Sequence, residues 1–303
     1  MFLQGAGLSP NTYRSYLAAV RQFYDFTGGL HPLQVKPADI EGFYDAIAKR
    51  VDRSTAALRI AGLKRFFGGI RNVLPIYTSP FELMGEKLRA KLTRTKKGRS
   101  TKKALTTGEL VAILNFLKAR GGLRDLQGRA MLYMLAGSGL RAAELCGLRW
   151  RDLDQVDGVW VARFTGKGDK SAEQEIYAPA VEATLEVFRK QHRRDPRPDD
   201  AIFYTIPLLS TQTVTPMKAH TLWARVARVG KLAREAGILT RDLQFSPHLF
   251  RRSYATALYK SGMGLKAIQE KTRHSNITTL TEHYIDDAAP ATPFLRKAFE
   301  GVT

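Results

Sequence analysis

A run of basic residues interrupts the apolar pattern about one third of the way along this chain of 303 residues. Nine Lys or Arg and no Asp or Glu stand between Lys87 and Lys103, and from Thr93 onward the run contains no apolar residue. Because such a segment has nothing to bury, we interpret residues 93–103 as a linker between two domains. The alternative is the solvated end of a helix, which is the more common origin of a charge run.

The charge balance indicates a polyanionic partner. The chain holds 48 Lys and Arg against 28 Asp and Glu, a formal net charge of +20. Residues 1–103 carry 19 basic and 7 acidic side chains, which is +12 of that excess. Nucleic acid and anionic membranes both attract such a protein. The most apolar run, Met131–Leu140, is too short to span a bilayer and no signal peptide is evident, so we expect an intracellular protein that binds nucleic acid and no membrane.

Composition is otherwise that of a globular protein, with 44% hydrophobic and 25% charged residues. The single cysteine, Cys146, excludes an internal disulfide and a zinc site built from several thiolates. It stands beside Leu145 and close to Leu148, so we expect it to be buried rather than reactive.

Apolar spacing predicts a bundle of short helices in the first third of the chain. Ser9 followed by Pro10 is typical of a helix start, Pro37 opens a second helix, and Ser54 can cap a third. The aromatic residues of these helices recur at helical spacing. We therefore expect them to form a core rather than platforms on which bases stack.

The remainder of the chain has a mixed pattern. Residues 158–164 and 173–178 are predicted to be two strands around a turn at 165–169. Beyond Pro179 the pattern is helical, broken by a surface loop at 195–200.

A glycine-rich turn precedes the first candidate site residue. Gly137 and Gly139 permit a sharp turn, and a helical run begins directly after it, which predicts Arg141 at a helix N-terminus where backbone N–H groups favour an anion. Glu144 lies on the same face and can orient Arg141. Taken alone, an Arg-x-x-Glu pair on a helix is usually only a salt bridge.

Two further candidates carry positive charge or a titratable ring. Lys167 occupies the glycine-flanked turn of the predicted hairpin, although most lysines at such positions only keep the turn soluble. Ser246-Pro247 predicts a helix start, so His248 and Arg251 share one face of the first turn. A His and an Arg together can bind an oxyanion.

The last two candidates lie near the carboxyl end. His274 stands between two helical runs, and Tyr284 occurs ten residues later. In one straight helix the two would lie about 15 Å apart. They share a site only if the chain folds back between them.

In their order and spacing, these motifs resemble the tyrosine recombinases, the phage-integrase type of site-specific DNA recombinase. The resemblance extends over nearly the whole chain. Residues 9–16, 35–40 and 54–67 resemble the family's N-terminal core-binding domain, and residues 103–106 resemble the start of its catalytic domain.

This resemblance implies a fold that is mainly α with a small β-sheet in the catalytic domain. The helical N-terminal core-binding domain would span residues 1–92, the basic linker 93–103, and the α+β catalytic domain with its C-terminal tail 104–303. The linker and the end of the preceding helix would contact the DNA backbone. The residues expected to do so are Lys87, Arg89, Lys91, Arg94, Lys96, Lys97, Arg99, Lys102 and Lys103.

The resemblance also implies a catalytic set and its roles. That set is Arg141, Lys167, His248, Arg251, His274 and the nucleophile Tyr284, with Glu144 as an accessory residue. The two arginines would hold the scissile phosphate while the tyrosine forms a 3′-phosphotyrosine, without metal, cofactor or ATP. Lys167 would be the general acid, His248 would handle the tyrosine proton, and His274 would hydrogen-bond the phosphate.

The implied partners are double-stranded recombination sites, each bound by a dimer, and a homotetramer that exchanges strands through a four-way junction. Accessory DNA-bending proteins are a further candidate class, and the implied location is the cytoplasm, at the nucleoid. The implied task covers integration, excision, inversion and dimer resolution alike. An apolar tail with Phe294, Leu295 and Phe299 suits either a neighbour's pocket or its own domain. The rival functions are a type IB topoisomerase and a DNA-binding architectural or regulatory factor that has lost catalysis.

Three positions depart from the common pattern of the family. Thr272-Arg273 stands where Leu-Gly is common, Arg252 replaces a frequent His, and the spacing from His274 to Tyr284 is ten rather than nine. We expect the first two departures to change packing near the site more than chemistry.

Overall fold

The structure is a computed structural model. It describes residues 7–93, 104–166, 171–206 and 214–274, together with 276, 277 and 280. The chain divides into two compact units, Met1–Gly98 and Arg99–Thr303. Apart from Thr93, the predicted linker lies outside the described residues. Each unit has a hydrophobic core of its own.

Four helices make up the described part of the N-terminal unit. They are α1 (Pro10–Phe26), α2 (Pro37–Ala48), α3 (Arg53–Val73) and α4 (Glu86–Thr93). Ser9 caps α1 as predicted, since its hydroxyl accepts a hydrogen bond from the Thr12 amide at 3.3 Å. The prediction that Ser54 caps α3 is wrong. Asp52 is the cap and accepts from the Thr55 amide at 2.9 Å, because the helix begins before Ser54.

The aromatic side chains of this unit form its core, as expected from their spacing. Phe23 is fully buried, and its ring meets those of Phe43 and Phe67 edge to face, with centroids 5.4 Å and 6.1 Å away. Edge-to-face pairs of this kind add to the stabilisation from burial. The stripe therefore joins α1, α2 and α3.

The C-terminal unit combines helices with a small sheet. Its helices are α5 (Thr107–Arg120), α6 (Leu123–Ser138), α7 (Ala142–Gly147), α8 (Ala178–His192), α9 (Ala219–Glu235), α10 (Pro247–Lys260) and α11 (Leu265–Thr272). Its strands are β1 (Leu153–Val156), β2 (Val159–Thr165) and β3 (Ser171–Ile176), in the order β1-β2-β3 with both pairs antiparallel. No helix in the described ranges is long and apolar enough to cross a membrane.

The predicted hairpin is confirmed, with small changes at its ends. Thr165 pairs with Ser171, so residues 166–170 connect β2 and β3. Strand β1 was not predicted, because its four residues lie at an edge of the sheet, are mostly exposed and lack an apolar alternation.

The break after α8 is longer than the predicted loop at 195–200, since α9 begins only at Ala219. Part of that stretch belongs to the core: Ile202, Phe203 and Tyr204 are each 1% exposed. Periodicity alone cannot separate such a short buried apolar segment from a helix.

Helix α6 lies at the centre of the C-terminal unit and fixes the position of the turn at its C-terminus. Met131, Leu132 and Leu135 are at most 1% exposed, and the helix ends at Ser138 in a left-handed turn at Gly139. The start of α7 is thereby attached to the most buried helix of the unit.

The contact between α9 and the segment before α10 predicts one sensitive position. A methyl group added at Gly230 would overlap the side chain of Phe245. We expect Gly230→Ala to lower the free energy of unfolding by about 1–3 kcal/mol, more than its gain in helix propensity returns. Urea denaturation measures the change.

Gly108→Ala is the matched control, because that glycine lies in α5 with nothing within 4 Å of the added carbon. Its stability should equal or slightly exceed the parent's. Equal stability of both variants and the parent would contradict the packing of α9 on Phe245.

Candidate active site

Arg141 stands at the start of α7, as the glycine-rich turn predicts. Gly139 has a φ of 63°, and an added Cβ there would overlap Tyr254, so the turn requires glycine. Arg141 is the N-cap residue, and its backbone N–H donates to Glu144 Oε2 at 2.8 Å. Its Nη1 donates to Glu144 Oε1 at 2.7 Å, which fixes the guanidinium beside the helix start.

Glu144 is a buried carboxylate that two arginines share. Its side chain is 7% exposed, and Oε2 also accepts from Arg273 Nη2 at 2.8 Å. Burial alone would raise the pKa of Glu144, but hydrogen bonds from the Arg141 backbone and side chain and the charges of Arg273 and Arg141 lower it below its usual value. The carboxylate is therefore ionised at neutral pH and can orient both guanidinium groups.

Arg251 is the most deeply buried charge in this part of the unit. It lies in the first turn of α10, which Ser246 and Pro247 begin as predicted, and it is 2% exposed. Its Nη1 donates to the Gly139 carbonyl at 2.6 Å, and its Nη2 donates to the Thr272 carbonyl. Carbonyl acceptors satisfy a buried guanidinium without neutralising it.

His274 lies just beyond the end of α11, where Arg273 takes a left-handed conformation with a φ of 53°. The Thr272 hydroxyl donates its only proton to the Ile268 carbonyl at 2.6 Å. Its oxygen must then accept the 2.5 Å hydrogen bond from His274 Nδ1. The neutral ring accordingly carries its proton on Nδ1, and Nε2 is the acceptor atom.

The His274 ring shares one electrostatic environment with three arginines. Burial, followed by the charges of Arg251, Arg141 and Arg273, lowers the pKa of His274 to about 4. The ring is therefore neutral at physiological pH. Arg141 Nη2 also donates to the Arg273 carbonyl at 2.9 Å. The residues Arg141, Glu144, Arg251 and His274, distant in sequence, thus meet at the corner formed by residues 272–274.

His248 faces a different environment. It is exposed, and its ring packs edge-on against Trp223 with centroids 5.4 Å apart. It lines a cavity of about 1070 Å³ between α9 and α10, together with Arg234 and Arg252. His248 nevertheless precedes Arg251 by one helical turn, so it borders the arginine cluster.

Lys167 and Tyr284 lie outside the described residues. The strands on either side of residues 167–170 do reach the cluster. The Arg273 guanidinium carbon lies 4.8 Å from the centroid of the Phe164 ring on β2, and its Nη1 donates to Gln174 Oε1 on β3.

The chain returns to the core shortly before Tyr284. Leu280 is fully buried in a cluster with Ala255 of α10 and Ile268 of α11. The segment after His274 therefore does not continue away from the unit, at least as far as residue 280.

Three contributors to the cluster were missed by sequence reasoning. Gly139 and Thr272 act through backbone carbonyls, which have no signature in a sequence. Arg273 was noticed only as a departure expected to affect packing. Its side chain in fact reaches Glu144, and its carbonyl reaches Arg141.

Of the basic residues expected on DNA, three are described, and all lie on α4. Arg89 donates to the Glu82 carbonyl at 2.9 Å. Lys91 donates to Glu41 at 2.7 Å and to Asp45 at 2.9 Å, so its charge is already offset. The other described member is Lys87. The remaining residues, Arg94, Lys96, Lys97, Arg99, Lys102 and Lys103, lie outside the described part.

No group of three or more His, Cys, Asp or Glu side chains in the described ranges could hold a metal ion. Cys146 is partly buried against the core, and burial raises its pKa to about 11. The thiol is therefore protonated at neutral pH and poorly nucleophilic, as its apolar neighbours predict.

Two family models match the chain. Residues 103–290 match the phage integrase family, and residues 1–72 match the N-terminal SAM-like domain of phage integrases.

Curated relatives cover most of the chain. It is 31% identical over 291 residues to the tyrosine recombinase XerC of Myxococcus xanthus, covering 92% of this chain and 87% of the relative. It is 28% identical to the tyrosine recombinase XerA of Thermococcus onnurineus, covering 92% of this chain and 86% of the relative.

Solved structures share the fold. The Tn1549 transposon integrase bound to transposon right-end DNA matches with a TM-score of 0.69 and 20% identity, over 98% of this chain and 95% of that one. A lambda integrase dimer bound to a COC' core site matches with a TM-score of 0.62 and 19% identity, over 95% and 93%. The chain therefore belongs to the phage integrase family and is a tyrosine recombinase, an enzyme that breaks and rejoins DNA at specific sites.

Proposed function

We propose that this recombinase stores each broken phosphodiester as a 3′-phosphotyrosine on Tyr284, formed where Arg141, Arg251 and His274 meet. One observation carries the proposal: both guanidinium groups are tied to the same corner, Arg251 through the Thr272 carbonyl and Arg141 through the Arg273 carbonyl. Two cations held this close repel each other unless an anion lies between them. A DNA phosphate is an anion whose oxygens match the guanidinium fork.

The two arginines contribute in different ways. The Arg141 side chain is 32% exposed, and Nη1 and Nη2 each use one N–H in the contacts to Glu144 and the Arg273 carbonyl. The second N–H of each nitrogen remains for a phosphate oxygen. Arg251 lies deeper and adds positive charge where the dielectric is low. Together they stabilise the additional charge of a five-coordinate transition state.

Tyr284 supplies the nucleophile. A phenol with a pKa near 10 is ionised in only about one molecule in a thousand at neutral pH, so it needs a positive field and a base. Leu280, four residues earlier, is buried against α10 and α11, which supports a return of the chain to this site. Four residues span at most about 14 Å.

Cleavage exchanges one phosphodiester for another. The Tyr284 oxygen bonds to phosphorus as its proton passes to His248, and the bond from phosphorus to the 5′ oxygen breaks. Lys167 protonates that leaving oxygen. Since no bond energy is lost to hydrolysis, the reverse attack by a 5′ hydroxyl rejoins a strand without ATP.

His274 would contact the phosphate through Nε2. With its proton on Nδ1, the neutral ring can donate to a phosphate oxygen only after Nε2 takes up a second proton. A bound phosphate offsets the charges of Arg141 and Arg251, which favours that uptake.

Strand exchange requires several copies. We propose a dimer on each recombination site and a tetramer that passes through a four-way junction, with the cations of residues 87–103 along the DNA backbone. The lambda integrase dimer on its core site and XerH on its difH substrate support this arrangement by analogy of fold. DNA-bending proteins would assist assembly at the nucleoid.

The proposal predicts a covalent adduct that depends on Tyr284. We expect the parent protein, incubated with nicked duplexes that carry a randomised central segment, to retain DNA through denaturing electrophoresis. Tyr284→Phe should form at least about a thousandfold less adduct, because its ring has no oxygen to attack phosphorus. Sequencing the retained DNA identifies the cleaved site.

Tyr259→Phe is the matched control, since Tyr259 lies on α10 in the cluster that holds Leu280 and is given no part in the reaction. It should form adduct as the parent does. Binding of DNA without adduct by the parent would instead identify a factor that has lost catalysis.

The depressed pKa of His274 predicts how stability depends on pH. Between about pH 6.5 and about pH 4 the unfolded chain binds a proton at this residue that the folded chain does not. The free energy of unfolding should therefore fall with pH across this window, by up to about 1.4 kcal/mol for each pH unit.

His274→Gln removes this contribution, so denaturation of both proteins at several pH values isolates it. The comparison is needed because burial also lowers the pKa of His192. Parallel stability curves for parent and variant would show that the His274 ring is not held neutral.

A further inference from the structure

We propose that Arg273 is a positioning residue for the general acid: its guanidinium holds the β2–β3 hairpin, which contains Lys167, against the residues that orient Arg141. The inference rests on the proposed role of Lys167 in protonating the leaving oxygen. It assigns a task to a residue that takes no part in the proposed cleavage step.

The Arg273 side chain touches both strands of the hairpin. Its guanidinium carbon lies 4.8 Å from the centroid of the Phe164 ring on β2, and its Nη1 donates to Gln174 Oε1 on β3. Phe164 pairs with Ala172 and Gln174 with Ala162, so the two contacts clasp adjacent rungs of one ladder. The chain between the paired ends of these strands is residues 166–170, which include Lys167.

The same residue is bound to the phosphate clamp, the pair of guanidinium groups of Arg141 and Arg251. Arg273 Nη2 donates to Glu144 Oε2 at 2.8 Å, and Glu144 Oε1 accepts from Arg141 Nη1 at 2.7 Å. The Arg273 carbonyl in turn accepts from Arg141 Nη2 at 2.9 Å. Arg141, Glu144 and Arg273 form a closed ring of charge-assisted hydrogen bonds, which are stronger than neutral ones.

Burial and geometry explain why a guanidinium is needed here. The Arg273 side chain is 18% exposed and that of Glu144 is 7% exposed, so water screens the pair weakly. Arg273 reaches Glu144 and Gln174 with its two terminal nitrogens while its flat face covers Phe164. An ammonium group is a point charge without a planar fork and cannot make these contacts together.

The backbone at this position makes a clean test possible. Arg273 has φ 53° and ψ 45°, a left-handed conformation that costs a residue with a Cβ about 1–2 kcal/mol and costs glycine nothing. Arg273→Gly therefore keeps the turn that places His274 and removes only the guanidinium. Glu144 retains its two hydrogen bonds from Arg141.

Loss of the guanidinium should impair proton donation more than phosphate binding. A general acid works only within hydrogen-bond reach of its oxygen, and a misplacement of about 1 Å can cost about a hundredfold in rate. The hairpin without Arg273 loses its polar tie to the clamp, whereas Arg141 and Arg251 keep their other contacts.

Sulfur in place of the 5′ bridging oxygen separates these effects. When Tyr284 attacks such a substrate, the bond from phosphorus to sulfur breaks and the 5′ sulfur leaves as a thiolate. A thiol has a pKa of about 8.5, far below that of an alcohol, so the thiolate departs without a proton. A defect confined to the general acid is suppressed on this substrate, whereas a defect in the fold or in phosphate binding is not.

The experiment compares single-turnover cleavage of the duplex that the parent retains from the randomised pool, made with oxygen or with sulfur at the 5′ bridge. We expect Arg273→Gly to be about 10–100-fold slower than the parent on oxygen and within about threefold of it on sulfur. Lys167→Ala should show the same pattern. Arg273→Lys should also be slow on oxygen, because it keeps the charge and loses the fork.

Lys271→Ala is the matched control. Lys271 also joins the end of α11 to β3, through an ion pair with Glu175 at 2.9 Å, but that pair is solvent-exposed and should matter little. This variant should cleave both substrates as the parent does.

Two results would overturn the inference. Arg273→Gly could be equally slow on oxygen and sulfur, which would place its effect in the clamp or the fold, or it could match the parent on both. Failure of the parent itself to form an adduct would refute the proposed function instead, so the two failures are distinguishable.

Discussion

A buried positive charge holds the catalytic unit together around its site. The Arg251 guanidinium, 2% exposed, is satisfied by the carbonyls of Gly139 and Thr272. These acceptors belong to the turn after α6 and to the end of α11, while Arg251 itself lies on α10. Because an unsatisfied buried cation is costly, the three segments cannot separate without a large loss of stability. The position of Arg141 and His274 results from this constraint.

The same constraint explains the electrostatics of the site. Carbonyl acceptors leave the charge of Arg251 intact, and only one carboxylate, that of Glu144, is paired with Arg141 and Arg273 among the described residues. The surplus of positive charge and the burial of the ring keep His274 neutral. A site of this kind is prepared for an anion and stabilises it more strongly as its charge grows, which is what the attack of a phenol on a phosphodiester requires.

Local signals in the sequence predicted much of the fold. The start signals at Ser9 and Ser246, the turn before Arg141 and the β2–β3 hairpin are short-range features, and the structure has them all. Asp52 was missed as a cap because a neighbouring serine offered an equivalent pattern. The meeting of Arg141 with Arg251 could be expected only from the family resemblance, since backbone carbonyls make the connection and leave no pattern of residue types.

Cleavage of a duplex with a methylphosphonate at the scissile position is the most direct measure of whether Arg141 offsets the charge of the phosphate. A methyl group in place of one non-bridging oxygen makes that group neutral. Arg141→Ala should cleave the ordinary duplex about 100–1000-fold more slowly than the parent, yet cleave the methylphosphonate within about tenfold of the parent. An equal defect on both duplexes would contradict a phosphate held by this guanidinium.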